Sequence, residues 1–158
     1  MAEALSVVAV VSSIVQLVDF TSKVVARLDE FHSNTTDIPK SLSHLRTELP
    51  LVTHTLQQIR EIIQTKRLPD GCTAALQPVI EGCNQLIREI DQILEKTLPK
   101  KSDGKAKKAF KAVGSVWNDD KIESTMKTLR GYIGTLTFYL TASQTVLQPL
   151  TGVTFRQF

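Results

Sequence analysis

Side chains able to do chemistry are few in this 158-residue sequence, and their spacing does not bring them together. His32, His44 and His54 stand twelve and ten residues apart with no acidic cluster beside them. His44 and His54 cannot share a metal ion on one straight helix, so all three read as solvated histidines on helix faces. Cys72 and Cys83 are eleven residues apart. On a helix that is about 16 Å of rise, too far for a disulfide. With no Cys-x-x-Cys or His-x-x-x-His spacing, a structural zinc site is not expected, and two free thiols fit a reducing intracellular setting. Glu81, Glu89, Asp91 and Glu95 read as the solvated side of a helix rather than as an acid–base pair. No phosphate-cradling Gly-x-x-x-x-Gly-Lys-Ser/Thr loop, Gly-x-Gly-x-x-Gly turn or Gly-x-Ser-x-Gly elbow is present. The chain is therefore read as a non-enzyme that needs no cofactor.

Charge is more informative. Lys100, Lys101, Lys105, Lys107, Lys108 and Lys111 face only Asp103 within twelve residues, a local charge of +5. The other 13 basic and 15 acidic residues leave −2, so the net +3 of the chain resides in this run. Such a cluster attracts anionic lipid headgroups at about 1 kcal/mol per lysine near the surface. It could equally be a loop kept soluble by its lysines. No base-reading motif accompanies it, and nucleic acid is not expected as a partner.

The N-terminus is the most unusual stretch. Residues 4–18 (ALSVVAVVSSIVQLV) carry no charge. One helical row is Val7, Val10, Ile14 and Leu17; a second is Ala4, Val8, Val11, Val15 and Val18; Leu5 adds to the apolar surface. Fifteen uncharged residues fall short of the ~20 that span a bilayer. A signal peptide would need a basic flank, and the nearest charge is Glu3. A helix apolar on nearly all sides is either buried at the centre of its domain or binds something apolar. Burial at rest with release to lipid on activation combines the two readings.

Four long helices must carry these features. Apolar residues recur at alternating steps of three and four, the seam of a helix packed in a bundle. The first row continues through Thr21, Val24, Leu28 and Phe31. A second helix has Ile38, Leu42, Leu45, Leu49, Val52, Leu56, Ile59 and Ile63. The third has Leu76, Val79, Cys83, Leu86, Ile90 and Ile93, and the fourth has Ile122, Met126, Leu129, Ile133, Leu136, Leu140, Ser143 and Leu147. Asp37-Ile38-Pro39, Pro69-Asp70-Gly71, Leu98-Pro99 and Asn118-Asp119-Asp120 mark the boundaries. Pro50 predicts a kink or a division of the second helix. Gly131 and Gly134 suggest a close helix contact. Short first and second links favour antiparallel neighbours. The longer connection, 99–118, holds a short amphipathic helix from Lys105 to Trp117, with Phe110, Val113 and Trp117 on one face. The expected architecture is all-α: an antiparallel bundle of four long helices plus that short one. Residues 1–150 form the domain, and 151–158 (TGVTFRQF) begin a linker to a further C-terminal region.

The Ala/Val/Ser-rich start AEALSVVAVVSSIVQLVDFTSKVV resembles the fungal HeLo-like domains, including the group called SesA. So do Leu42-x-x-Leu45-x-x-Glu48-Leu49 and the basic-aromatic entry to the last helix, with Phe110, Trp117, Lys121-Ile122, Leu129, Tyr132, Leu136 and Leu140. The likeness covers about residues 1–148. These are helical domains at the N-terminus of NACHT-type and other STAND receptors and of some fungal lipases. The resemblance implies a signalling or executioner domain of programmed cell death, heterokaryon incompatibility or innate immunity, similar in role to the four-helix domain of the mixed-lineage kinase-like pseudokinase. A fungal NLR-type protein would self-associate after an upstream receptor or signalling domain acts. It would then move from the cytoplasm to the plasma membrane and form a pore.

Carried over, the membrane-interacting residues are Leu5, Val7, Val8, Val10, Val11, Ile14, Val15, Leu17 and Val18. The anionic-lipid contacts are Lys100, Lys101, Lys105, Lys107, Lys108 and Lys111. Family members often have glycines along the first helix; this sequence has none before Gly71, and Ala4, Ala9, Ser12 and Ser13 would supply the small faces instead. The alternative is a helical adaptor that binds a partner protein in an NLR-like pathway without touching a membrane.

Overall fold

The computed structural model describes residues 2–34, 38–65, 68–69, 71–99, 102–105, 108, 111 and 118–146. Four helices make up the bundle: α1 (Ala2–Ser33), α2 (Lys40–Thr65), α3 (Cys72–Thr97) and α4 (Asp119–Val146). There is no strand among the described residues, and the all-α expectation holds. Of the short helix expected at Lys105 to Trp117, Lys105, Lys108 and Lys111 are helical. Its apolar side, Phe110, Val113 and Trp117, lies outside the described residues, as do Leu147 and the tail 151–158.

The core forms where the apolar rows meet. In α1, Val10, Ile14, Leu17, Val24 and Leu28 are buried; in α2 every residue of the row from Leu42 to Ile63 is. In α4 the row from Ile122 to Leu140 is buried, ending at Ser143. The α3 seam differs from its sequence reading. Ile80, Ile87 and Leu94 join Leu76, Cys83, Ile90 and Ile93 in the core, while Val79 and Leu86 are half-buried. The reason is that α3 packs on two helices at once, so its buried stripe is wider than a single step-three-and-four row.

Helix neighbours also depart from expectation. α1 packs against α2 and α3, and α4 packs against the same two, which places α2 and α3 at opposite corners. Contacts give the directions. Arg46 Nε meets Asp29 Oδ1 at 2.6 Å, so α1 and α2 are antiparallel. Gln77 Nε2 donates to Ser13 Oγ at 3.2 Å, and Arg27 pairs with Asp91 at 2.7 Å, so α1 and α3 run parallel. Between α2 and α4 the pairs are His44 with Glu123 at 2.8 Å and Glu48 with Arg130 at 3.1 Å, again parallel. α3 and α4 are antiparallel, with Cys72 Sγ 3.6 Å from Ser143 Oγ. Two antiparallel hairpins thus stack like-directed helices side by side. A short link limits distance, not adjacency. The six residues between Thr65 and Cys72 reach about 20 Å when extended, enough for a bundle diagonal of about 13 Å.

Helix ends explain the boundaries. The carbonyl of Pro39 accepts from the amides of Leu42 and Ser43, both at 3.1 Å. Gly71 precedes α3 with φ 78°, the left-handed region that glycine enters without strain. Asp119, at the start of α4, accepts the Ser41 amide of α2 at 3.1 Å. One carboxylate therefore sits at the positive poles of two parallel helices. Pro50 does not divide α2, which runs unbroken over 26 residues, and Pro78 lies within α3 in the same way. Both prolines are solvent-exposed, so the carbonyl each leaves without a helical partner faces the water side.

Candidate functional site

Along α1 the buried and exposed sides separate cleanly. Val10, Ile14 and Leu17 are at most 1% exposed. Val7, Val11 and Val18 are half-buried at the edge of the core. Leu5, Val8 and Val15 lie in solvent, exposed by 71%, 66% and 45%. Ala4, Ala9 and Ser12 lie between them, also exposed. The helix therefore occupies a corner of the bundle, not its centre. Central burial is overturned, and so is complete burial at rest: an apolar stripe is already displayed. α1 is long and apolar enough to cross a membrane from Ala4 onward, by length and composition. Within its apolar window, 22% is buried inside the structure.

The small residues on this stripe, Ala4, Ala9 and Ser12, face outward. Ser13, on the α3 side, is held by Gln77, whose amide also donates to Glu81 Oε1 at 2.7 Å. Thr21 returns its hydroxyl to the Leu17 carbonyl at 2.7 Å, which lets a polar side chain sit fully buried in the α1 row. Below it, Asp19 and Lys23 pair at 2.8 Å on the solvent side and end the uncharged stripe.

The lysines fare differently from one another. Lys105 and Lys108 are exposed. Lys111 is turned inward; its ammonium meets Asp103 Oδ2 at 2.6 Å, with the two side chains only 8% and 4% exposed. Its charge is neutralised locally, which leaves it poorly placed to meet a lipid headgroup. Lys100, Lys101 and Lys107 lie outside the described residues.

The position of the lysine run relative to α1 could not be read from sequence. α1 and α3 are parallel with Ser13 level with Gln77, so Leu5 and Val8 are at the end of the bundle where α3 begins. The lysine connection leaves α3 at its other end, after 26 residues or about 39 Å. The two elements combined in the sequence reading are thus rooted at opposite ends of the molecule.

The residues considered for chemistry remain apart. No group of three or more His, Cys, Asp or Glu suited to a metal occurs among the described residues. His44 bridges to Glu123, His54 contacts Gln58 at 3.2 Å, and His32 is exposed. Burial pushes the Cys83 thiol up to about 12, so it stays neutral and inert. At the α1 N-terminal end of the bundle, sequence reading missed one cluster. Cys72, half-buried, joins Ser143, and Tyr139 is held protonated above its usual range, first by a hydrogen bond with Cys72. Residues 71 positions apart leave no local signal of such a meeting.

No curated protein and no solved structure matches the chain significantly. A family model does match, over residues 11–136: SesA, described as an N-terminal domain on NACHT NTPases and P-loop NTPases. The matched span covers α2 and α3 whole, α1 from Val11 onward and α4 as far as Leu136, so Leu5 and Val8 precede it. SesA domains are regulatory rather than catalytic. The chain belongs to the SesA family, as a signalling domain of the kind carried by NLR-like proteins.

Proposed function

We propose that this domain engages and permeabilises anionic membranes through the N-terminal half of α1 after self-association, as the executioner part of a fungal cell-death or defence protein. It would move from the cytoplasm to the plasma membrane when an upstream receptor or signalling domain acts. The observation that carries this reading is the exposed stripe of Leu5, Val8 and Val15 on a helix apolar enough to span a bilayer. Surface contact needs no rearrangement, because the stripe already faces water.

Insertion is another matter. Withdrawing α1 would expose Val10, Ile14, Leu17, Val24 and Leu28. At about 2 kcal/mol each this costs on the order of 10 kcal/mol, comparable to the stability of a whole domain. Lipid must replace that burial, and several copies acting together multiply weak contacts. The two-step picture is surface docking by the outer stripe, then release of the inner row.

Dye leakage from vesicles containing anionic lipid tests the proposal, using the chain beside Val8→Glu and Leu5→Glu. Both substitutions sit on solvent-exposed positions, so folding should survive, as circular dichroism would show. Leakage by the unsubstituted chain that both variants lose is the expected result. Equal leakage by all three would refute the role of the stripe. Absence of vesicle binding at any concentration would favour the adaptor reading, which the firm anchoring of the inner α1 row in the core also supports.

A further inference from the structure

We propose that the outward face of α4 is a homodimer contact, in which two copies pack their α4 helices antiparallel about a two-fold axis between Gly134 and Thr135. Phe138 is 76% exposed, more than any other large apolar side chain among the described residues. On the same face, one and two turns earlier, stand Gly134 and Gly131, both exposed. A Cβ at either would meet nothing within 4 Å, and neither glycine has a positive φ. Among the described residues nothing calls for glycine there, and none of them makes the close helix contact suggested by the sequence. The face is a protruding ring beside a hollow.

Helical spacing makes this arrangement self-complementary. An antiparallel copy registered on Gly134 and Thr135 sets Phe138 of each chain opposite Gly131 of the other, so each ring fills the other's hollow. Close backbone approach is what the missing side chains permit. Charge follows the same register. Residues 131–146 contain no charged side chain. Lys127, exposed, falls opposite Ala142 near the negative pole of the partner helix. The last turn of α4 has no basic residue of its own to occupy that pole. Parallel pairing would instead set Lys127 against Lys127 and ring against ring. The chemistry thus selects a second copy in the antiparallel sense.

One helix on one helix is a small interface, at the weak end of specific contacts. This contact would supply the self-association on which the proposed function rests. Its test contains no lipid, so failure of the contact and failure of membrane permeabilisation are told apart. Sedimentation equilibrium of the 158-residue chain is measured from about 10 to about 500 µM, a range suited to so small an interface, beside Phe138→Glu, Gly131→Leu and Lys127→Glu, each with an unfolding curve. The unsubstituted chain should show a reversible monomer–dimer equilibrium. Phe138→Glu and Gly131→Leu should each weaken it at least tenfold, and Lys127→Glu severalfold. Gly131→Leu should unfold at the same or higher denaturant, since leucine is the better helix former at an exposed position, so loss of the dimer could not be blamed on loss of the fold. A monomer over the whole range overturns the proposal, as does a dimer that the Phe138 and Gly131 variants leave unchanged.

Discussion

Cys83 shows how burial converts a reactive residue into a packing one. Its thiol sits at 0% exposure in the α3 seam, and burial raises its pKa from 9.0 to about 12. The folded state therefore holds its proton where the unfolded chain has lost it. Stability from this group is intact below about pH 9 and falls as pH rises from 9 to 12, at up to about 1.4 kcal/mol per pH unit. Urea unfolding of the chain and of Cys83→Ala at pH 8 and pH 10.5 should show a steeper alkaline loss in the unsubstituted chain. Glycines give a second residue-scale prediction. A Cβ on Gly82 would lie 2.8 Å from the Tyr132 ring, whereas one on Gly131 or Gly134 meets nothing. Gly131→Ala and Gly134→Ala should each stabilise the monomer by about 0.5–1 kcal/mol. Gly82→Ala should not, since the same gain is offset by displacement of the ring; denaturant midpoints distinguish the three. Sequence placed Gly131 and Gly134 on a helix, but only the packing of α3 on α4 separates the filled Gly82 from those two open ones.

At the scale of the element, α1 carries two faces with opposite duties. Ile14→Ala removes a fully buried side chain and should cost about 2–5 kcal/mol. Val8→Glu changes an exposed position and should alter stability by no more than about 0.5 kcal/mol. Vesicle leakage should show the reverse ordering per folded molecule: Val8→Glu impaired, Ile14→Ala retained or raised because the inner row is released more easily. Thermal unfolding and leakage on the same preparations check both halves. Both apolar rows of α1 were legible from spacing, since a helix repeats every 3.6 residues whatever surrounds it. So was the row that faces the core, since Val10, Ile14 and Leu17 continue through Thr21, Val24 and Leu28; that Val8 and Val15 of the second row stay in water was not, because that depends on where α2 and α3 stand.

For the whole molecule, the separation of the α1 stripe from the lysine connection predicts separable effects. Reversing Lys105 and Lys108 to Glu should weaken association with anionic vesicles, and the difference should shrink as salt rises. Leakage per bound molecule should be unchanged, whereas Val8→Glu should lower it. Vesicle co-sedimentation and leakage at two salt concentrations measure the two quantities independently. A joint loss in both would mean that the lysines and the stripe form one surface despite their opposite ends.

Sequence by itself determined the helices, because propensity, proline and glycine punctuation and apolar periodicity are local properties. It determined most of the core for the same reason, including every buried position from Leu42 to Ile63. The SesA character was legible in the N-terminal composition, which runs directly into the stretch that the family model matches. Tertiary structure alone decided that α2 and α3 stand at opposite corners, since a six-residue link permits either neighbour or diagonal. It also turned Lys111 inward onto Asp103 while leaving Lys105 and Lys108 in solvent, a difference no charge count contains. Above all it set the valine stripe at a corner, facing water: the wide apolar face of α3 claims both α1 and α4, and a helix with two neighbours has one side left uncovered.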